Sequence, residues 1–134
     1  IKDFIDSGRP FLGVCLGLQL LLDGSDEGDE PGLGLIAGRV KRLPAGAKIP
    51  HMGWNDLSVV KEHALTKGLS AQDQVYFVHS FAHTVNDATL VSGEYGQAFS
   101  AIVAKDNYAG MQFHPERSAK VGTRLLQNFL DWQL

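Results

Sequence analysis

Two short stretches hold residue types that could do chemistry together. Cys15 sits in Gly13-Val14-Cys15-Leu16-Gly17, and His114 and Glu116 sit in Gln112-Phe113-His114-Pro115-Glu116. A cysteine between glycines, after one apolar run and before another, has the layout of a nucleophile elbow, in which a strand turns sharply into a helix. Such a turn pushes the side chain out at the carboxyl end of the strand, and the helix N-terminus behind the sulfur favours thiolate over thiol. Gly13 and Gly17 are expected to leave room where a Cβ would crowd the strand or the helix. Cys15 is also the only cysteine in the chain, and a lone cysteine can equally be a small buried hydrophobe. The second stretch bears on that choice. Pro115 forces extended backbone at His114, and a carboxylate two residues on can accept a hydrogen bond from one ring nitrogen, leaving the other to face outward as a base. The two stretches together specify a Cys-His-Glu triad.

The elements that must position these groups follow from the flanking pattern. Phe11 to Val14 is a short apolar run bounded by Pro10 and the elbow, fit for a buried parallel strand. Leu16 to Leu22 continues as a helix apolar nearly all round. Gln19 lies four residues after Cys15, on the same face one turn along, where its amide either caps a buried network or meets a ligand; the ligand is the favoured reading. His114 is placed at the end of a strand reaching from Tyr108 to Phe113, before a helix with Val121, Leu125, Phe129 and Trp132 on one face and Ser118 as N-cap. In an open α/β sheet such strand ends share one edge, which would bring the two stretches together.

Between them, Asp23 to Gly32 is a glycine- and acid-rich loop that reads as solvated, without the spacing of a Ca²⁺ loop. Leu35 to Leu43 reads as a strand with basic residues outward. Lys48 to Asn55 reads as a packed turn containing Pro50 and Gly53 with Trp54 in the core, or as a partner or substrate surface, with a strand from Leu57 to Val60 after it. Gln74 to Phe81, Leu90 to Tyr95 and Phe99 to Ala104 read as strands, with a hairpin turn at Lys105-Asp106-Asn107. His79 and His83 have the spacing of a zinc pair on a helix, but they fall on a strand with no acidic base between them, so no metal site is read there.

The chain has 134 residues, 44% of them hydrophobic, and a net charge of −3. That bounds it to one domain and gives no electrostatic footprint for nucleic acid or an acidic membrane. One cysteine rules out an internal disulfide framework and fits a reducing compartment, and a cytoplasmic protein is the expectation. The chain begins at Ile1 inside an apparent helix, so an N-terminal portion is expected to be missing.

The elbow and the His-Pro-Glu stretch resemble the triad (class I) glutamine amidotransferases. Pro50-His51-Met52-Gly53-Trp54-Asn55 and Tyr76-Phe77-Val78-His79-Ser80-Phe81 resemble one branch, the glutaminase subunits of imidazole glycerol phosphate synthases in histidine biosynthesis. The likeness covers essentially the whole chain. It implies an α/β flavodoxin-like open sheet lacking its N-terminal strands, with residues 1–134 forming a partial glutamine amidotransferase domain.

By that resemblance, Cys15 attacks the carboxamide of L-glutamine, His114 carries the proton, and Glu116 orients His114. The Leu16 N–H donates to the oxyanion, and Gln19, His79, Ser80 and Phe81 line the glutamine pocket. Ammonia passes to a (β/α)₈-barrel cyclase subunit in a heterodimer, across an interface including Met52, Gly53, Trp54, Asn55 and Arg117. No metal or organic cofactor is implied. Phe81 stands where the family commonly has Tyr, and Arg117 where Lys is common. The family's second oxyanion donor lies before the position of Ile1, so the fragment alone is expected to be weak or inactive. The alternatives are the glutaminase of another synthase (anthranilate or purine nucleotide), a non-catalytic amidotransferase-like binding module, and a cysteine peptidase of similar fold.

Overall fold

In the computed structural model, residues 1–46 and 48–132 are described; of the expected 1–134 domain, Ala47, Gln133 and Leu134 lie outside them. A five-stranded sheet carries the rest. Its order is β1 (Phe11–Val14), β10 (Tyr108–Met111), β9 (Ala98–Lys105), β8 (Thr89–Glu94) and β5 (Ser58–Val59). β1 and β10 run parallel, and every other neighbouring pair is antiparallel. A three-stranded sheet joins β2 (Gly24–Ser25), β3 (Arg39–Arg42) and β7 (Phe81–Ala82), and a two-stranded ribbon joins β4 (His51–Asp56) to β6 (Gln74–His79). The helices are α1 (Lys2–Asp6), α2 (Leu16–Leu20) and α3 (Ala119–Leu130), with 3₁₀ turns at Ala64–Thr66 and Pro115–Arg117.

β9 is buried along most of its length, as a central strand with both faces covered must be. Successive side chains on a strand point to opposite faces. Ile102 accordingly joins a core with Phe77, Phe99, Met111, Phe113 and Leu125, while Val103 joins a second core with Leu18, Leu21, Leu22, Ile36 and Tyr108. α2 lies over β1 and β10. A Cβ on Gly110 would come within 2.8 Å of Leu18, and one on Gly13 would overlap the Gly17 carbonyl. Gly17 itself has open space around its would-be Cβ, so only the first of the two elbow glycines is a packing requirement.

Several expected boundaries move, each for a local reason. The helix after Cys15 ends at Leu20 instead of Leu22, because the following loop supplies the next donors: Leu33 N–H to Leu20 O, Leu35 and Ile36 N–H to Leu21 O, and Gly34 N–H to Leu22 O. Those bonds engage Leu35 and Ile36, so the strand expected from Leu35 begins only at Arg39; its basic residues do face outward. The packed turn expected at Lys48–Asn55 is largely β4, paired residue for residue with β6 from His51↔His79 to Asp56↔Gln74. The last strand stops at Met111, short of His114, although the Gln112 N–H still reaches Ala101 O at 2.8 Å. Ser118 occupies the N-cap position of α3 without capping it. Its hydroxyl donates to His114 O at 2.7 Å and accepts from Tyr76 N–H at 2.9 Å.

The tight α2–sheet contact gives a direct test. Gly110→Ala forces Leu18 and the α2 backbone away from β10, and overpacking of this kind costs about 1–3 kcal/mol. Gly17→Ala meets nothing and lies inside a helix, so it should leave stability unchanged or slightly raised. Urea unfolding midpoints of the two variants beside the unmutated protein check the contrast.

Candidate active site

The parallel register Val14↔Met111 sets the site. The Cys15 N–H donates to Met111 O at 2.7 Å, so the residue after β1 is tied to the last residue of β10. Cys15 then turns at φ 55°, ψ −106°, a left-handed conformation costly for a non-glycine residue. This is the strained turn an elbow requires, and it leaves the side chain half-buried. Beyond β10, the His114 N–H donates to Tyr76 O at 3.0 Å, and Ser118 ties His114 O to Tyr76 N–H. Both peptide groups of Tyr76 thus hold the turn that carries His114. On that turn His114 Nδ1 pairs with Glu116 Oε2 at 3.2 Å. The carboxylate therefore favours the tautomer with the proton on Nδ1 and Nε2 as acceptor.

Cys15 Sγ has two hydrogen-bond partners among the described residues, and His114 is not one of them. The thiol donates toward Val78 O at 3.9 Å, and Gln112 Nε2 donates to the sulfur at 3.7 Å. Burial pushes the thiol above its ordinary value, and the carboxylates of Glu116 and Glu27 push the same way. The Leu16 N–H and the Gln112 amide oppose them. The helix N-terminus expected to favour thiolate belongs to a helix of only five residues, and desolvation outweighs it. At rest the group is a thiol.

Cys15 opens into a cleft of about 260 Å³. Leu16, Gln19, His79, Ser80 and Phe81 line it, so the structure gathers the expected pocket residues around the sulfur. Gln19 is buried, and its Nε2 donates to Phe81 O and to Gln112 Oε1, both at 3.1 Å. Two further linings, Glu27 and Val78, carry no signal that the sequence reading used. Glu27 belongs to the acidic run read as merely solvated; its position shortly after the elbow helix was the available clue.

His79 and His83 do not come together. His79 Nε2 meets His51 Nδ1 at 2.9 Å, His79 Nδ1 donates to Phe81 O at 3.0 Å, and Asn55 Nδ2 donates to His51 Nε2 at 3.3 Å. The ring of His83 is buried where a Cβ on Gly38 would strike it. Among the described residues no group of three or more His, Cys, Asp or Glu is placed to hold a metal ion. His51 stacks on Phe77 and Tyr95 with ring centroids 4.9 and 4.0 Å away. Burial lowers the pKa of His51, and it lowers that of His79 to about 4.

The expected interface residues divide by strand alternation. Met52 and Trp54 project outward from β4, 62% and 51% exposed, while the Asn55 amide turns to His51 and to Glu94 O. Gly53 lies between them at φ 126° with open space beside it. Trp54 meets Tyr76 edge-on at 6.1 Å, and the Arg117 guanidinium lies 4.4 Å over the Tyr76 ring. Met52, Trp54, Tyr76 and Arg117 thus lie on and beside the ribbon that ties down His114. No helix among the described residues is long and apolar enough to cross a membrane.

Residues 1–132 match the family model described as "Glutamine amidotransferase class-I". The chain is 47% identical over 132 residues to an imidazole glycerol phosphate synthase subunit HisH of Desulfitobacterium hafniense, covering 96% of this chain and 63% of that protein. It is 48% identical over 132 residues to the HisH subunit of Aquifex aeolicus, covering 96% and 64%. The chain thus spans a little under two thirds of the length of these relatives. Among solved structures, it superposes on a glutamine amidotransferase with TM-score 0.68 at 21% identity, over 97% of this chain and 64% of the other. It also superposes on a Thermotoga maritima glutamine amidotransferase with TM-score 0.62 at 19% identity, over 97% and 50%. At these identities the superpositions establish the fold.

The buried histidine pair makes stability depend on pH. Below its ordinary value of 6.5, the unfolded chain protonates His79, whereas the folded chain resists until about pH 4. The stabilisation is complete above pH 6.5 and is lost as pH falls from 6.5 towards 4, on the order of 3 kcal/mol from this group alone. Chemical unfolding at pH 7.5 and pH 4.5 should show the drop, and His79→Gln should show a smaller one. An equal drop in both proteins would place the pH dependence elsewhere.

Proposed function

The chain belongs to the class-I glutamine amidotransferase family, and from that premise we propose that it hydrolyses L-glutamine to glutamate and ammonia through Cys15, His114 and Glu116. The observation that carries the reading is the placement of the elbow cysteine and the Glu116-paired histidine just beyond the level ends of the parallel pair β1 and β10. The cleft beside Cys15 supplies the substrate side. Gln19 and the Ser80–Phe81 bend bound it, and Glu27 offers a carboxylate suited to the α-ammonium of an amino acid.

In this scheme His114 Nε2 takes the Cys15 proton as the sulfur attacks the carboxamide carbon, and then gives it to the departing ammonia. Glu116 holds the imidazolium that forms. The Leu16 N–H, already close enough to lower the Cys15 pKa, donates to the oxyanion. Water then hydrolyses the Cys15 thioester to glutamate. Because the resting thiol is turned to Val78 O, catalysis begins with a shift of Sγ or His114 that brings the two into hydrogen-bond reach.

The near-half identity to HisH subunits supports a narrower reading. Residues 1–134 are part of a glutaminase domain that hands ammonia to a (β/α)₈-barrel cyclase in a heterodimer, yielding imidazole glycerol phosphate in histidine biosynthesis. Met52, Trp54 and Arg117 form the exposed part of the docking face, with Gly53 and Asn55 behind it. An exposed Met and Trp beside a stacked Arg have the composition of an interface core.

Glutamine hydrolysis by the full-length protein, with and without the cyclase barrel and its nucleotide ligand, tests both levels. The barrel should raise the rate, and Cys15→Ala should abolish it. Glu116→Gln should lower kcat by roughly 10²–10⁴, as loss of an orienting carboxylate does. Glu27→Gln should raise KM about ten-fold or more with kcat little changed, the expected cost of one charge-assisted hydrogen bond. Activity indifferent to the barrel would assign the glutaminase to another synthase. No activity from a folded protein would indicate a non-catalytic module.

A further inference from the structure

Gln112 has no part in the scheme above, yet its side chain is fully buried and touches the nucleophile. Its backbone is fixed, since the N–H bonds Ala101 O and continues the β9–β10 pairing by one residue. The orientation of its amide is fixed as well. Gln19 Nε2 donates to Phe81 O, which can only accept, so the amide nitrogen of Gln19 is on that side. The same nitrogen faces the Gln112 amide, which must therefore present its oxygen to Gln19. The Gln112 NH₂ then has one direction left, toward Cys15 Sγ.

The Phe81 carbonyl is itself held. His79 Nδ1–H donates to it, so His79 Nε2 accepts from His51 Nδ1–H. His51 Nε2 accepts from Asn55, whose amide also donates to Glu94 O. Every ring nitrogen in this file has a partner, and each tautomer follows from the one before. The file runs from β4, through the core, to the sulfur.

We propose that Gln112 is a positioning residue for the nucleophile: its amide, locked by Gln19 and by the His51–His79 pair behind Phe81 O, presents an N–H to Cys15 Sγ and stabilises the sulfur when it becomes an anion. This rests on the reading of Cys15 as nucleophile. The other groups facing the sulfur are known by element. Glu27 faces it from the loop after β2, Glu116 from the turn after β10 that also carries His114, and the Leu16 N–H from α2. The two carboxylates oppose the anion. The Leu16 N–H favours it, and so does His114 once protonated.

Alkylation of Cys15 by iodoacetamide, followed on its peptide by mass spectrometry across pH, reads the thiolate without glutamine. In the full-length protein, Gln112→Leu should move the midpoint up by about half a unit to one unit, slowing alkylation roughly three- to ten-fold at pH 7.5. Gln112→Glu, which places a carboxylate against the sulfur, should move it further. Profiles of both variants that overlay the unmutated one overturn the proposal. If neither variant folds, the Gln112 side-chain amide resonances of the unmutated protein decide. A shift with the thiol's own titration supports the contact, and constancy across it overturns it. Because the assay needs no substrate, a protein that shows this order but leaves glutamine intact would fail the amidotransferase reading while keeping the role of Gln112.

Discussion

The parallel pairing of β1 with β10 is the constraint on which the site depends. Each strand alone ends in an ordinary turn. Paired in the register Phe11↔Tyr108 to Val14↔Met111, they end level, and the Cys15 N–H closes onto Met111 O. That bond is the last of the ladder and the first of the elbow. The packing of α2 on the sheet serves the same register, because Gly13 and Gly110 let the helix come down directly over the pair. At the other end of the strands, Phe11 N–H donates to Asn107 O, and the Asn107 side chain bonds Ile5 O and Arg9 O. A slip by one residue would invert every side chain of β1 and take Cys15 off Met111.

The ribbon β4–β6 is the second support, and it works through polar groups. Tyr76 on β6 holds the His114 turn by its backbone, and His79 at the end of β6 holds Phe81 O. A buried polar chain is worth having only when every member is satisfied. Here it is satisfied because both histidines are neutral, and they stay neutral because Phe77, Tyr95 and Phe99 surround them. The apolar packing sets the protonation state, and the protonation state sets the direction of each hydrogen bond.

What could be read from the sequence was whatever depended on local pattern. β1, the central strands, α3 and the Cys15, His114 and Glu116 stretches are visible as apolar runs, periodicity and turn residues close together in the chain. What could not be read depended on distant partners. β4 contains Gly53 and follows Pro50, so its composition suggests a turn, and only pairing with β6 makes it a strand. The spacing of His79 and His83 means little on a strand, and nothing local points to the actual partner of His79, which is His51 across the ribbon. Ser118 looks like a helix cap by position, but its hydroxyl serves Tyr76 and His114. Glu27 and Gln112 gave only a weak signal because an acidic loop and a strand-end glutamine are common in solvated or structural roles. Only the cleft and the amide orientations distinguish them.

The state of the sulfur follows from a contest between burial and its neighbours. Burial and two carboxylates favour the thiol, and two N–H donors favour the thiolate. Since His114 is hydrogen-bonded to Glu116 and not to the sulfur, the histidine cannot yet tip the balance. In the proposed reaction the amino-acid substrate would. Its ammonium beside Glu27 would neutralise one of the opposing carboxylates, and its carboxamide would displace the thiol from Val78 O toward His114. The turn that carries His114 is tied to Tyr76, and Tyr76 lies under Arg117 and against Trp54 on the exposed ribbon face. Under the proposed docking, a partner seated on that face would press on the same short segment that positions His114. The arrangement therefore keeps a thiol at rest, and on the proposed reading the control of its ionisation lies with the substrate and with the docking face.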